Sequence, residues 1–201
     1  DTGVDKNHAF LSGKVIAEAC FSSNDLNLSA TSVCPGGAET STVTGSGVPC
    51  NANGCDHGTH VAGIAAGGST GGFAGVAPGA GIMAIQVFSQ FSDAFLCQLA
   101  GDPPPCALAF TSDVLAGLQH VYSQRSLFNI AAVNMSLGGQ TSATPCNTDP
   151  RASIIRSLKT ANIATVVASG NDSQGNRIAA PACVPDAVSV GSTGDGSGGS
   201  T

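Results

Sequence analysis

From residue 81 onward, short apolar runs alternate with stretches of helical period. Residues 81–87 (Gly-Ile-Met-Ala-Ile-Gln-Val) form a brief, partly β-branched run behind glycine, and they predict a buried strand. In residues 112–122, Val114, Leu115, Leu118, Val121 and Tyr122 fall on one stripe, the signature of an amphipathic helix. Residues 130–135 predict a second strand. Asp149 followed by Pro150 predicts a helix start, with Ile154, Ile155, Leu158 and Ala161 as its buried stripe. Residues 163–168 read as a third strand, and Val188-Ser-Val190 opens another. Strands apolar on both faces, alternating with helices, predict an α/β fold whose parallel sheet is covered by helices on either side. In such folds the working residues gather at the carboxyl ends of the strands.

Composition narrows the function classes. The chain has 201 residues, suited to one domain or a piece of a larger one, and 42% are hydrophobic, enough for a core. Only 10% are charged, against about 25% in an ordinary soluble domain. With seven Lys and Arg and a net charge of −6, nucleic-acid binding is excluded as a working hypothesis. No apolar run approaches the ~18 residues of a membrane span, so no membrane partner is expected. Eight cysteines without a CxxC motif, in a chain rich in small residues, predict disulfides and an oxidising compartment. Short loops suggest Cys34–Cys50 and Cys97–Cys106, leaving Cys20–Cys55 and Cys146–Cys183. The rival is zinc held by Cys50, Cys55, His57 and His60, although their spacing fits no standard finger.

Four segments can carry chemistry. Asp1-Thr-Gly-Val4 offers a carboxylate before a tight turn, which alone describes many surface acids. In the run 56–66 (Asp-His-Gly-Thr-His-Val-Ala-Gly-Ile-Ala-Ala), His57 stands at a helix start, with Val61, Ile64 and Ala65 expected to face the core. It serves there either as a capping residue or as a general base. His60 is expected to be a packed core histidine, and His8 and His120 to be structural. Asn134 to Gly139 ends a strand on an open, small-residue backbone, equally suited to a plain turn or to pairing with an extended peptide. Val167-Ala-Ser-Gly-Asn171 ends another strand, where Asn171 either makes a turn or aims its amide into a cleft.

Taken in order, Asp-Thr-Gly, His-Gly-Thr-His-Val-Ala-Gly, Ser-Leu-Gly-Gly and Ser-Gly-Asn resemble the subtilisin-like serine protease family. Gly75-Val-Ala-Pro78, Ala180-Pro181 and Val188-Ser-Val-Gly191 extend the resemblance over essentially the whole chain. It implies a three-layer α/β sandwich with a mostly parallel central sheet and helices on both faces. It also implies a secreted endopeptidase, monomeric when complete, acting on polypeptide substrates through an Asp-His-Ser triad. Asp1 resembles the triad acid, His57 the general base and Asn171 the side-chain oxyanion donor. Ser136, Leu137 and Gly138 resemble the strand that pairs with substrate, and Ala168, Ser169 and Gly170 a wall of the primary specificity pocket. The family requires no cofactor. Structural calcium is common in it, but no carboxylate cluster here identifies a site.

The sequence departs from that pattern at the nucleophile. The family's Gly-Thr-Ser-Met-Ala run is not present, and Gly67-Gly-Ser-Thr-Gly71, formally G-x-S-x-G, lacks the strand-turn-helix context of that motif. Residues 1–201 are therefore expected to be a partial peptidase domain lacking its N-terminal start and the portion bearing the serine. The Gly/Ser stretch 191–201 is expected to be flexible. Such a piece alone should be inactive and poorly stable. The alternative is a non-catalytic subtilisin-like peptide-binding module that never carried the serine.

Overall fold

A computed structural model describes residues 1–69 and 72–193. The stretch from 194 on, and Thr70 and Gly71 of the Gly67–Gly71 segment, lie outside the described residues. The chain divides into two compact units, residues 1–117 and 118–201.

In the first unit, β1 (Val15–Phe21), β2 (Ala30–Thr31), β3 (Thr40–Ser41) and the helix α1 (His57–Ala66) precede β4 (Ile82–Gln86). Parallel β1 and β4 pair from Val15–Ile82 to Cys20–Gln86, and β3 crosses the end of β1 antiparallel, giving the order β3-β1-β4. Asp1 pairs with the edge of β4 near its carboxyl end, and Val4 with Gly47. The Asp1 nitrogen donates to the Ile85 carbonyl at 3.2 Å, and the Val87 N–H donates to the Asp1 carbonyl at 3.0 Å. Asp1 thereby lies at the carboxyl end of a parallel strand pair. Val4, Leu11, Ala62 and Ala84 form the core between this sheet and α1.

A second small sheet, order β2-β5-β6, is built with β5 (Ser89–Phe91) and β6 (Cys106–Leu108) flanking α2 (Ala94–Ala100). Asp93 caps α2 by accepting the Leu96 N–H at 2.9 Å, and Gly101 ends it at φ +86°. Phe91, Ala30 and the Cys97–Cys106 disulfide make its core. Then α3 (Thr111–Gln124) leads from the first unit into the second. Of its expected stripe, Val114, Leu118 and Val121 are buried, and Leu115 and Tyr122 half-buried.

The second unit contains β7 (Ala132–Met135), β8 (Thr141–Ser142), α4 (Ala152–Thr160), β9 (Ala164–Ala168), β10 (Ile178–Ala179) and β11 (Val188–Val190). Parallel β7, β9 and β11 form a sheet of order β11-β9-β7, while β8 and β10 pair antiparallel. The α/β expectation therefore stands, with short antiparallel pairs that the hydrophobic pattern did not name. Ile155 and Leu158 are fully buried on α4, as its stripe predicts.

Several local expectations are corrected. Helix α4 begins at Ala152, after Asp149 has used its carboxylate on the Arg151 N–H and guanidinium instead of on the helix. On α1 the buried positions are Gly58, Ala62 and Ala66, whereas Ile64 is 57% exposed and Ala65 exposed; Gly58 lies against the Gly3 carbonyl, where no Cβ fits, and Ala62 packs with Val4. His60 is exposed, not packed. The disulfides are Cys20–Cys34, Cys50–Cys55, Cys97–Cys106 and Cys146–Cys183, so two of the four expected pairs hold. Pairing of β3 with β1 turns the chain back so that Cys34 meets Cys20 at the strand end, leaving Cys50 for its near neighbour. That bond removes both thiolates from any zinc set.

The Asp149–Arg151 pair is buried and bidentate, at 2.9 and 2.7 Å. Hydrogen bonding from Arg151 holds the Asp149 carboxyl below its ordinary value of 3.8. A depressed folded-state value means that the pair stabilises fully above that ordinary value and loses its effect as pH falls through the folded one. Asp149→Asn should destabilise the protein by about 1–3 kcal/mol at neutral pH, read as the urea midpoint. The difference from wild type should shrink in strong acid.

Candidate active site

The Asp1–Thr2–Gly3 turn and the start of α1 meet in the first unit, and each motif residue has a physical task. Asp1 Oδ1 lies 2.9 Å from His57 Nδ1 and also accepts the Thr2 N–H at 2.7 Å. With its proton on Nδ1, the imidazole donates to the carboxylate and keeps the Nε2 lone pair for chemistry. The acid is largely enclosed, 14% exposed, and the imidazole 47% exposed, so an outside group can reach the base. Asp1 Oδ2 is buried and unpartnered among the described residues.

Thr2, 2% exposed, holds the helix start. Its hydroxyl donates to the Cys55 carbonyl at 3.0 Å and accepts the Gly58 N–H at 2.9 Å, serving one of the orphan donors of α1 that Asp56 leaves uncapped. Its carbonyl accepts Gln86 Nε2 at 2.6 Å. Gly3 sits at φ +88°, and a Cβ there would overlap the Val48 carbonyl. Gly58 has no room for a Cβ either, since one would strike the Gly3 carbonyl oxygen and lie 3.1 Å from Asp1 Oδ1. Thr59 Oγ1 accepts the Asp5 N–H at 2.8 Å, a further tie between helix and turn.

Behind this turn, Glu18 Oε2 accepts Lys6 Nζ at 2.7 Å and the Gly45 N–H at 2.9 Å. Burial pushes this carboxyl up, but the Lys6 hydrogen bond and charge and the Gly45 and Gly47 N–H groups outweigh burial and hold it below its usual range. Gly47 in turn accepts the Val4 N–H at 2.7 Å. His8 caps a short 3₁₀ turn by accepting the Phe10 N–H, and His120 is half-buried with its imidazole pushed down by desolvation.

The second unit gathers the other expected residues at the carboxyl ends of β7 and β9. Ser136, Leu137 and Gly138 continue β7 past its last rung, Met135–Val167. Ala168 ends β9, and Ser169 and Gly170 follow it, Gly170 at φ +109°. Both segments abut Ala179 of β10: a Cβ at Gly138 would come within 2.9 Å of the Ala179 Cβ, and one at Gly170 within 3.0 Å. The Ala179 N–H donates to the Ser169 carbonyl at 2.8 Å. A shallow pocket of about 210 Å³ opens here, lined by Ser169, Gly170, Asp172 and Arg177, whose guanidinium is tied to Thr141. Asn171 follows Gly170 and is exposed.

Sequence reasoning thus singled out Asp1, His57 and both strand-end segments, and the structure brings Asp1 and His57 to hydrogen-bond distance. It missed Thr2 and Ala179, which act through contacts with residues distant in sequence. The signal for Thr2 lay in the turn itself, where a hydroxyl residue stands between carboxylate and glycine.

Within the α/β scaffold, a carboxylate at the end of a parallel strand pair orients an accessible imidazole. A family model described as the Subtilase family matches residues 1–200, and the chain belongs to that family. It is 35% identical over 146 residues to the subtilisin-like serine protease AsES of Sarocladium strictum, a match covering 71% of this chain and 31% of that protein. It is 32% identical over 141 residues to a cuticle-degrading serine protease of Arthrobotrys oligospora, covering 70% and 28%. Among solved structures, the S41 psychrophilic protease superposes with a TM-score of 0.64 at 25% identity, and Sphericase with 0.66 at 23%; each match covers 94% of this chain and 50% of the other. The chain therefore spans less than a third of the curated relatives' length and half that of the solved ones.

The two glycines of α1 make a controlled pair. Gly58→Ala should destabilise by about 1–3 kcal/mol through the clash with Gly3. Gly63→Ala, whose Cβ would meet Phe10 at an ordinary 3.4 Å, should be neutral or stabilising by up to about 1 kcal/mol through helix propensity. Urea unfolding of both variants checks the opposite signs.

Proposed function

We propose that residues 1–201 are the acid-base and substrate-binding portion of a secreted subtilisin-like serine endopeptidase. In this proposal the nucleophilic serine is supplied by a Gly-Thr-Ser run beyond Thr201, and the 201 residues alone are inactive. The observation that carries the reading is the Asp1–His57 hydrogen bond of 2.9 Å on an enclosed carboxylate.

In the complete enzyme His57 takes the serine proton as the hydroxyl oxygen attacks the scissile carbonyl, then returns it to the leaving amine. Asp1 keeps the imidazole in the tautomer with Nε2 free and stabilises the imidazolium. The Asn171 amide donates to the developing oxyanion. For the corresponding subtilisin donor, removal is known to cost about 10²–10³-fold in kcat, a magnitude borrowed here. Substrate main chain pairs with Ser136, Leu137 and Gly138 as an added strand. The first substrate side chain enters beside Ala168, Ser169 and Gly170, with Ala179 as a small residue at the base. Polypeptides are the substrates, no cofactor takes part in the proton transfers, and the working form is monomeric. Secretion is supported by four disulfides, and among the described residues no helix is long and apolar enough to cross a membrane.

Reading the source gene past Thr201 should reveal the Gly-Thr-Ser run, and a fluorophosphonate probe should label the complete protein. His57→Ala should abolish labelling and lower kcat by about 10⁴-fold or more. A substituted serine, with peptide binding but no turnover, would replace the protease by a binding module.

A further inference from the structure

Cys50 and Cys55 are joined by a disulfide whose second half lies just before His57. Thr2 touches both half-cystines. Its carbonyl accepts the Cys50 N–H at 3.3 Å, and its hydroxyl donates to the Cys55 carbonyl at 3.0 Å. The same hydroxyl receives the Gly58 N–H. The segment bearing Asp1 is thus gripped by the two ends of one covalent bridge, and the segment bearing His57 leaves from the second of those ends.

The loop inside the bridge is braced throughout. The Cys55 N–H donates to the Ala52 carbonyl at 3.2 Å, the Ala52 N–H approaches Cys55 Sγ at 3.2 Å, and the His57 N–H donates to the Gly54 carbonyl at 3.3 Å. Its tip is anchored by Asn53, which donates its N–H to the Pro105 carbonyl and its Nδ2 to the Pro103 and Pro105 carbonyls, each at 3.0 Å. The Asn53 carbonyl accepts the Ala107 N–H at 3.2 Å. At a sequence separation of 5, against 14, 9 and 37 for the others, this bridge removes the least chain entropy from the unfolded state. Its effect is weighted towards local geometry.

We infer that the Cys50–Cys55 bridge is a positioning element for the Asp1–His57 pair, holding Thr2 and the first turn of α1 at the separation that their hydrogen bond requires. The inference rests on Asp1 and His57 being the acid and base of the protease. The test uses the complete protease labelled with ¹⁵N-histidine and follows the His57 Nδ1–H resonance and its exchange with solvent. The variants are Asp1→Ala, Cys50→Ala/Cys55→Ala and, as a control in the second unit, Cys146→Ala/Cys183→Ala.

Asp1→Ala and Cys50→Ala/Cys55→Ala should each speed exchange of that proton by about tenfold or more, and the control should leave it unchanged. Cys50→Ala/Cys55→Ala should also lower kcat by about tenfold with KM within about twofold. If Asp1→Ala moves the resonance and Cys50→Ala/Cys55→Ala does not, the inference alone is overturned. If neither moves it, the acid-base reading fails and takes the inference with it. Global unfolding of Cys50→Ala/Cys55→Ala, or an equal effect from the control, would make the bridge a general staple and also overturn the inference.

Discussion

The hydrogen bonding of Thr2 is the constraint on which the meeting of Asp1 and His57 depends. A buried hydroxyl must satisfy both its donor and its acceptor capacity, because an unmet polar group away from water costs about 1–3 kcal/mol. Here the donor goes to the Cys55 carbonyl and the acceptor to the first turn of α1. One side chain therefore joins the segment carrying Asp1 to the helix carrying His57. Its carbonyl takes Gln86 Nε2 and so fixes the same segment to the end of β4. Removing the hydroxyl would leave a helix N–H and a carbonyl unserved at once, beside the Asp1–His57 pair.

Close approach is the complementary requirement, and it explains the glycines at both edges of the turn. For the Thr2 hydroxyl to reach the Gly58 N–H, the backbones of residues 1–3 and of the α1 start must nearly touch. Gly58 leaves no Cβ in that gap, and Gly3 adopts a positive φ against the Val48 carbonyl. Loop 45–48 is itself held by Glu18 and Lys6. A buried carboxylate is costly unless paired; Lys6 and the Gly45 and Gly47 N–H groups supply the pairing, so this charge works as an internal strut.

How far the sequence could be read followed the range of the interactions involved. Strands β4, β7, β9 and β11 and the stripe of α4 were legible because a short apolar run and a helical period are each properties of one element, even where, as in β11, the strand is exposed. Asp1 and His57 were legible through ordered motifs, and their meeting was an expectation that the 2.9 Å separation matches. The α1 stripe was misjudged because hydrophobicity favoured Ile64, whereas the space available selected Gly58, Ala62 and Ala66. His60 failed for the same reason, since the face assigned to the core turns outward. Disulfide partners, Thr2 and Ala179 depend on contacts set by tertiary structure, and periodicity carries no information about them.

The two units solve a similar problem with different means. In the first, a carboxylate is set against an imidazole, and that contact sits among rigid anchors: the Thr2 hydrogen bonds, the short disulfide and the Asn53 contacts. In the second, the segments that follow β7 and β9 both close on Ala179, and the requirement is close approach: glycine at 138 and 170 and alanine at 179 fit where larger side chains would clash. A polar anchor fails when one partner is lost, whereas a small-residue floor fails when volume is added. Loss of a polar anchor in the first unit should therefore loosen the Asp1–His57 contact, whereas enlarging residue 138, 170 or 179 in the second should push apart the segments that follow β7 and β9.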